Sequence, residues 1–168
     1  VIDEIGASGG YYIAAAADYI YADRASMVGS IGVISAGFDF TGTMELLGVE
    51  RRMFTSGKNK ALLDPFIEMS DEAGSAWQSV LDSTHQQFIA RVREGRNGRI
   101  KENEDTYSGM IWNGEQALEF GLIDGLGSAS TIARDLINAE RLVDYTPRPD
   151  IFRLIGQRVQ AQVREQMF

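Results

Sequence analysis

The stretch Gly6-Ala7-Ser8-Gly9-Gly10-Tyr11-Tyr12 constrains this chain more than any other. It lies between Val1-Ile2-Asp3-Glu4-Ile5, which reads as a short strand, and Ile13-Ala14-Ala15-Ala16-Ala17, which reads as a helix. Small residues at the junction let the backbone turn sharply and let a ligand approach the main chain closely. A hydrolase exposes a serine nucleophile at such a place, because the first N–H groups of the following helix have no intrahelical acceptor and face developing negative charge. A plainer reading uses the same residues: serine caps helices well, and glycines fill tight turns. The rest of the chain has to decide between them.

Gly6-x-Ser8-x-Gly10 matches the pattern G-x-S-x-G, whose usual base is a histidine. The chain has one histidine, His85, and no cysteine. His85 falls inside the longest helical pattern, one position round from its apolar face, where a boundary residue is expected rather than a triad base. Without cysteine there is no thiol nucleophile, thiolate metal site or disulfide. Lysine is the remaining base for a serine. An ordinary lysine titrates at about 10.4, so it must be desolvated or set beside positive charge to serve at neutral pH. Lys101 lies in the charged run Lys101-Glu102-Asn103-Glu104-Asp105, a solvated turn. Lys58 and Lys60 share the polar turn Ser56-Gly57-Lys58-Asn59-Lys60, and position alone does not choose between them.

Other chemistries find less support. Asp3 and Glu4 precede the serine but lack a histidine or third carboxylate at ligand spacing, so no metal is expected and no cofactor is implied. A net charge of −8 over 168 residues argues against a nucleic-acid partner. No apolar run approaches the about 18 residues of a membrane span. The chain opens without a methionine, inside an apparent strand, and so reads as a piece of a longer protein.

Strand and helix signals alternate along the chain, which predicts a layered α/β fold. Tyr19–Ala22 reads as a strand and Asp23–Ser26 as a turn. Gly29-Ser30-Ile31-Gly32-Val33-Ile34 reads as a loop feeding another buried strand. Thr41–Leu47 reads as a helix capped by Thr41 and closed by Gly48, and Val49–Thr55 as a further strand. The longest helix is expected over Asp71–Arg93, with Trp77, Val80, Leu81, Thr84, Phe88 and Val92 on one apolar face. Trp112–Phe120 follows as a helix that Asn113 can cap, then Gly121–Asp124 as a small strand or turn. Ser128–Ala139 reads as helical and Leu142–Tyr145 as extended.

Three of these stretches resemble, in order and with matching gaps, the bacterial signal peptide peptidase A and SohB family of serine peptidases. They are Ala7-Ser8-Gly9-Gly10-Tyr11-Tyr12-Ile13, Gly29-Ser30-Ile31-Gly32-Val33-Ile34 and Ser56-Gly57-x-x-Lys60. Trp112-x-Gly114-x-Gln116-Ala117-x-x-x-Gly121-Leu122-Ile123-Asp124 is similar to that family's C-terminal segment. The resemblance runs from about Val1 to Ala139. It implies a crotonase-like β-α superhelix and a Ser-Lys hydrolase that degrades remnant signal peptides or other hydrophobic, membrane-derived peptides. By the same resemblance the nucleophile falls on Ser8 and the base on Lys60 rather than Lys58. A serine that hydrogen-bonds the lysine amine falls on Ser30, and one oxyanion donor is the Gly9 N–H. The second donor, in the family, comes from a glycine-rich loop upstream of Val1. The resemblance also implies a homo-oligomeric ring in which neighbouring subunits share each dyad. It further implies attachment to the bacterial inner membrane on its extracytoplasmic side, through an anchor outside this chain. Gly6, where the family often has alanine, and Tyr107-Ser108-Gly109-Met110 depart from its pattern.

On this reading residues 1–146 form the C-terminal portion of a peptidase domain. Residues 147–168 form an amphipathic helix docked on that domain or on a neighbouring subunit. Two other functions fit the same fold: a CoA-thioester-acting crotonase-like enzyme, and an inactive oligomeric scaffold.

Overall fold

The computed structural model describes residues 1–139 and 141–145. Its strands are two or three residues long, too short to stand alone, so pairing and packing decide them. β3 (Met27–Gly29) lies between β1 (Ile5–Ala7), to which it runs parallel, and β4 (Ile111–Asn113), to which it runs antiparallel. Ile5 faces Met27, Gly6 faces Val28 and Ala7 faces Gly29. A parallel pair needs a crossover, and the one between β1 and β3 carries α1 (Gly9–Ala14). A second ladder joins β2 (Tyr21–Ala22) in parallel to β5 (Gly125–Leu126), with Ile2 bridging to Ala22.

Tyr11, Ile20, Val28, Ile31, Val92 and Leu122 are fully buried where these pieces meet. Each such side chain contributes about 1.5–3 kcal/mol relative to exposure. The long helix α3 (Asp71–Arg96) covers this core with Phe88, Ile89 and Val92. Its ends are specified locally. Ser70 accepts from the Ala73 N–H, Asp71 and Glu72 occupy the first turn, Arg93 and Arg96 the last, and Asn97 stops it at φ 44°.

Arg96 is 1 % exposed and forks onto Asp124 with both contacts at 2.8 Å. Arg99 adds a contact at 2.7 Å and the Ile20 N–H another at 2.7 Å. Burial alone would raise the Asp124 carboxyl, but the bonds from Arg96, Ile20 and Arg99 outweigh it and hold the group down at about 2. α4 (Gly114–Glu119) starts with a capping box between Asn113 and Gln116, and α5 (Ala129–Thr131) with one between Ser128 and Thr131.

The α/β character and the helices at Thr41–Leu47 (α2) and Asp71–Arg96 follow the sequence reading. Several details differ. The first strand is Ile5–Ala7 rather than Val1–Ile5, and α1 begins at Gly9 rather than Ile13, because the tight exit at Ser8 feeds both glycines straight into the helix. The buried strand precedes the Gly29–Ile34 loop instead of following it; Ile34 is 85 % exposed. Thr41 does not cap α2. Asp39 does that work, accepting from the Thr41 N–H at 2.8 Å and from its hydroxyl at 2.6 Å. Val49–Thr55 forms no strand, since it has no pairing partner among the described residues and Arg51 is drawn to Asp64 at 2.6 Å. On α3, Val80 is exposed and Thr84 turns its hydroxyl back onto the Val80 carbonyl. Trp112 belongs to β4, not to α4, and the last small strand is Gly125–Leu126, just beyond Gly121–Asp124.

The chain divides into two compact units, Val1–Ile132 and Ala133–Phe168. A π-helical turn (Ile132–Leu136) replaces the regular helix expected through Ala139, and within the second unit the Ala139 N–H closes onto the Ala133 carbonyl. Leu142–Tyr145 forms no strand. The amphipathic helix expected over 147–168 lies outside the described residues.

Candidate active site

Ala7 and Gly29 are the last paired residues of two adjacent parallel strands. Ser8 and Ser30 therefore leave the sheet side by side at its carboxyl edge, where open α/β sheets place ligands. Both take a left-handed φ, 52° at Ser8 and 50° at Ser30. A non-glycine residue held so costs about 1–3 kcal/mol and persists only where its surroundings impose it. Here the surroundings do. The Ser8 N–H donates to the Gly29 carbonyl at 2.8 Å, the Ser30 N–H to the Met110 carbonyl at 2.7 Å, and the Gly32 N–H to the Ser30 carbonyl at 2.9 Å. Gly29 itself, at φ 99°, has Trp112 and the Met110 carbonyl where a side chain would go.

Below Ser8, Tyr11 pins α1 into the core. Its ring is fully buried and its hydroxyl donates to the Leu122 carbonyl at 2.7 Å. That burial pushes the phenol well above its ordinary pKa, so it stays a neutral donor. Tyr12 packs edge-on against Phe88 of α3, with ring centroids 5.0 Å apart. Ser8 sits at the N-cap position with ψ −123°, and its side chain makes no capping bond. The plain capping role is thus not what its hydroxyl does. Ser8, Gly9 and Gly10 are exposed, and no atom lies where a Cβ on either glycine would project. The Gly9 N–H opens the helix and so has no intrahelical acceptor.

The two lysines differ. Lys58 is committed to Glu72, its Nζ lying 2.9 Å from each carboxylate oxygen. Lys60 is exposed in the same turn, its N–H donating to the Gly57 carbonyl at 3.1 Å. Among the described residues its amine makes no hydrogen bond or ion pair, and none joins it to Ser8 or Ser30. The structure brings the two serines together within one chain and does not bring Lys60 to them. His85 is half-buried on α3, with Nε2 3.1 Å from the Ile31 carbonyl. Sequence reasoning placed it inside the long helix, at the edge of the apolar face, but missed this contact, which joins residues far apart in the chain. Among the described residues no cluster of three His, Asp or Glu side chains is placed to hold a metal ion.

The family model of peptidase family S49 matches residues 1–142. A Na(+)/H(+) antiporter NhaA of Brucella abortus is 44% identical over 133 residues, 79% of this chain and 18% of that protein. A putative signal peptide peptidase SppA of Enterococcus faecium is 36% identical over 140 residues, covering 83% of this chain and 41% of the relative. The putative protease slr0021 of Synechocystis is 35% identical over 168 residues, with 94% of this chain and 60% of the relative covered. The chain thus spans from under a fifth to three fifths of the length of these relatives. Most of the protein named as an antiporter lies outside the match.

Proposed function

Because the chain belongs to peptidase family S49, we propose that it is the nucleophile-bearing part of a serine endopeptidase with a Ser8–Lys60 dyad. Ser8 Oγ attacks the scissile carbonyl while the neutral Lys60 amine takes its proton. The same amine then protonates the leaving group, and water resolves the acyl-enzyme. The Gly9 N–H donates to the oxyanion, and Ser30 hydrogen-bonds the lysine amine and orients it. The observation that carries this reading is the pair of strained serines leaving adjacent parallel strands, one of them with an exposed, uncapped hydroxyl.

Lys60 comes to the serine from a neighbouring subunit of a homo-oligomeric ring, which accords with its amine making no hydrogen bond or ion pair among the described residues. The fold that goes with this reading is a crotonase-like β-α superhelix. Its substrates are hydrophobic peptides, remnant signal peptides among them. Two of the relatives above carry protease or peptidase names. Membrane attachment, on the extracytoplasmic side, is through sequence outside this chain; among the described residues no helix is long and apolar enough to cross a membrane.

Labelling with a fluorophosphonate, read by intact mass, tests the dyad. One adduct on Ser8 is expected, absent from Ser8→Ala and from Lys60→Ala. Mixed oligomers of the two variants should regain the adduct, since each supplies what the other lacks. Full peptidase activity in Ser8→Ala would overturn the assignment.

A further inference from the structure

We propose that His85 is a positioning residue for the serine pair, its Nε2–H holding the Ile31 carbonyl and thereby the left-handed turn at Ser30. For its catalytic consequence this rests on the Ser8–Lys60 reading; for its geometry it does not.

Three consecutive carbonyls run along the end of β3, and each accepts a hydrogen bond. Gly29 accepts from the Ser8 N–H, Ser30 from the Gly32 N–H, and Ile31 from the His85 ring. The first two donors are main chain. His85 is the only side chain that hydrogen-bonds the backbone of residues 29–31 among the described residues. Ile31 is fully buried, and a buried carbonyl deprived of its donor costs about 1–3 kcal/mol. Left without His85, the loop gains by turning that carbonyl toward water. Ile31 directly follows Ser30, so the turn would move Ser30 with it. Gly29 directly precedes Ser30 and holds the Ser8 amide, so the disturbance reaches both serines.

The donor is well placed for this work. His85 lies one turn before Phe88 and Ile89, which anchor α3 in the core, so the ring is carried by a part of the helix that packing holds in place. A carbonyl oxygen can only accept, so Nε2 carries the proton. An Nε2 lone pair is therefore absent, and this nitrogen does not serve as a base for Ser8.

The decisive comparison is among the native chain, His85→Ala and His85→Gln. The glutamine amide nitrogen stands three bonds from Cβ, as Nε2 does, and also donates. In His85→Ala the rate of Ser8 labelling and kcat should fall about tenfold with KM within about twofold, because misplaced groups slow the chemistry more than binding. His85→Gln should recover most of that loss. A merely structural role would lower thermal stability without splitting kcat from KM. Equal labelling rates in native protein and His85→Ala, or no recovery in His85→Gln, would overturn the proposal.

A second readout needs no activity. The chain has a single histidine, so its ring nitrogen signals assign themselves. An Nε2-bound proton protected from solvent exchange is expected; a freely exchanging or Nε2-deprotonated ring would overturn the tether. Native protein with a protected ring proton but no Ser8 adduct would keep the tether and refute the peptidase reading instead.

Discussion

A side chain on Gly95 would overlap the carbonyl oxygen of Ala15, so α3 and the end of α1 meet with only backbone between them. The helix that begins beside Ser8 is thus seated directly on the longest helix of the fold. Gly95→Ala is expected to force the two apart and to destabilise the protein by about 1–3 kcal/mol. Thermal unfolding measures it, and a variant as stable as the native chain would show that the contact yields.

Ser8→Gly should act in the opposite direction on stability. Glycine adopts a φ of 52° with a ψ of −123° without the clash a Cβ brings. Relief of that strain is expected to stabilise the fold by about 1 kcal/mol while labelling and peptidase activity vanish. Urea unfolding and activity measured on the same preparation check both halves.

Asp124→Ala leaves the Arg96 guanidinium buried without its carboxylate. Removing one partner of a buried pair costs about 3–5 kcal/mol, and chemical denaturation at neutral pH should show a loss of that size.

Acid should act on the same contact. The Asp124 carboxyl is held at about 2, below its ordinary 3.8. A lowered folded pKa means stability that is present above the unfolded value and lost as pH falls through the folded one. The pair's contribution, about 2 kcal/mol from this shift, is therefore nearly complete above about pH 4 and gone below about pH 2. The stability gap between the native chain and Asp124→Asn should narrow across that window.

Lys58→Ala is expected to leave labelling unchanged and to cost under about 1 kcal/mol, since its pair with Glu72 is exposed at both ends. Lys60→Ala should abolish labelling at no cost in stability. The two variants compared by intact mass and thermal unfolding separate the lysines that share one turn.

The sequence discloses elements whose signals are local. α2 and the start of α3 lie where they were expected, because Gly48 and Ser70 mark their ends within a few residues. Strands were harder, since pairing decides them. Val49–Thr55 has branched and apolar residues but no neighbour to pair with, whereas Ile5–Ala7 ends in two small residues and becomes a strand because β3 lies beside it. Gly9 and Gly10 oppose a helix by propensity and are helical all the same, fed into it by the exit at Ser8. Ser8 was legible from the small residues around it at a strand–helix junction, and Ser30 only through the family resemblance. That they stand at one sheet edge with matching backbone strain was not, nor was the His85 tether, because each depends on residues that only the fold brings together.

The opening segment of this chain, around α1 and β2, is fastened by β5 and the turn before it. Tyr11 reaches Leu122, the Ile20 amide reaches Asp124, and Tyr21 pairs with Gly125. During synthesis the chain must therefore emerge beyond Leu126 before Tyr11, Ile20 and Tyr21 have these partners. A nascent copy stopped earlier is expected to be digested readily by an added protease, while one carried past that point resists. The turn that carries Ser8 is thus among the last parts of this stretch to be locked, although it is among the first to be made.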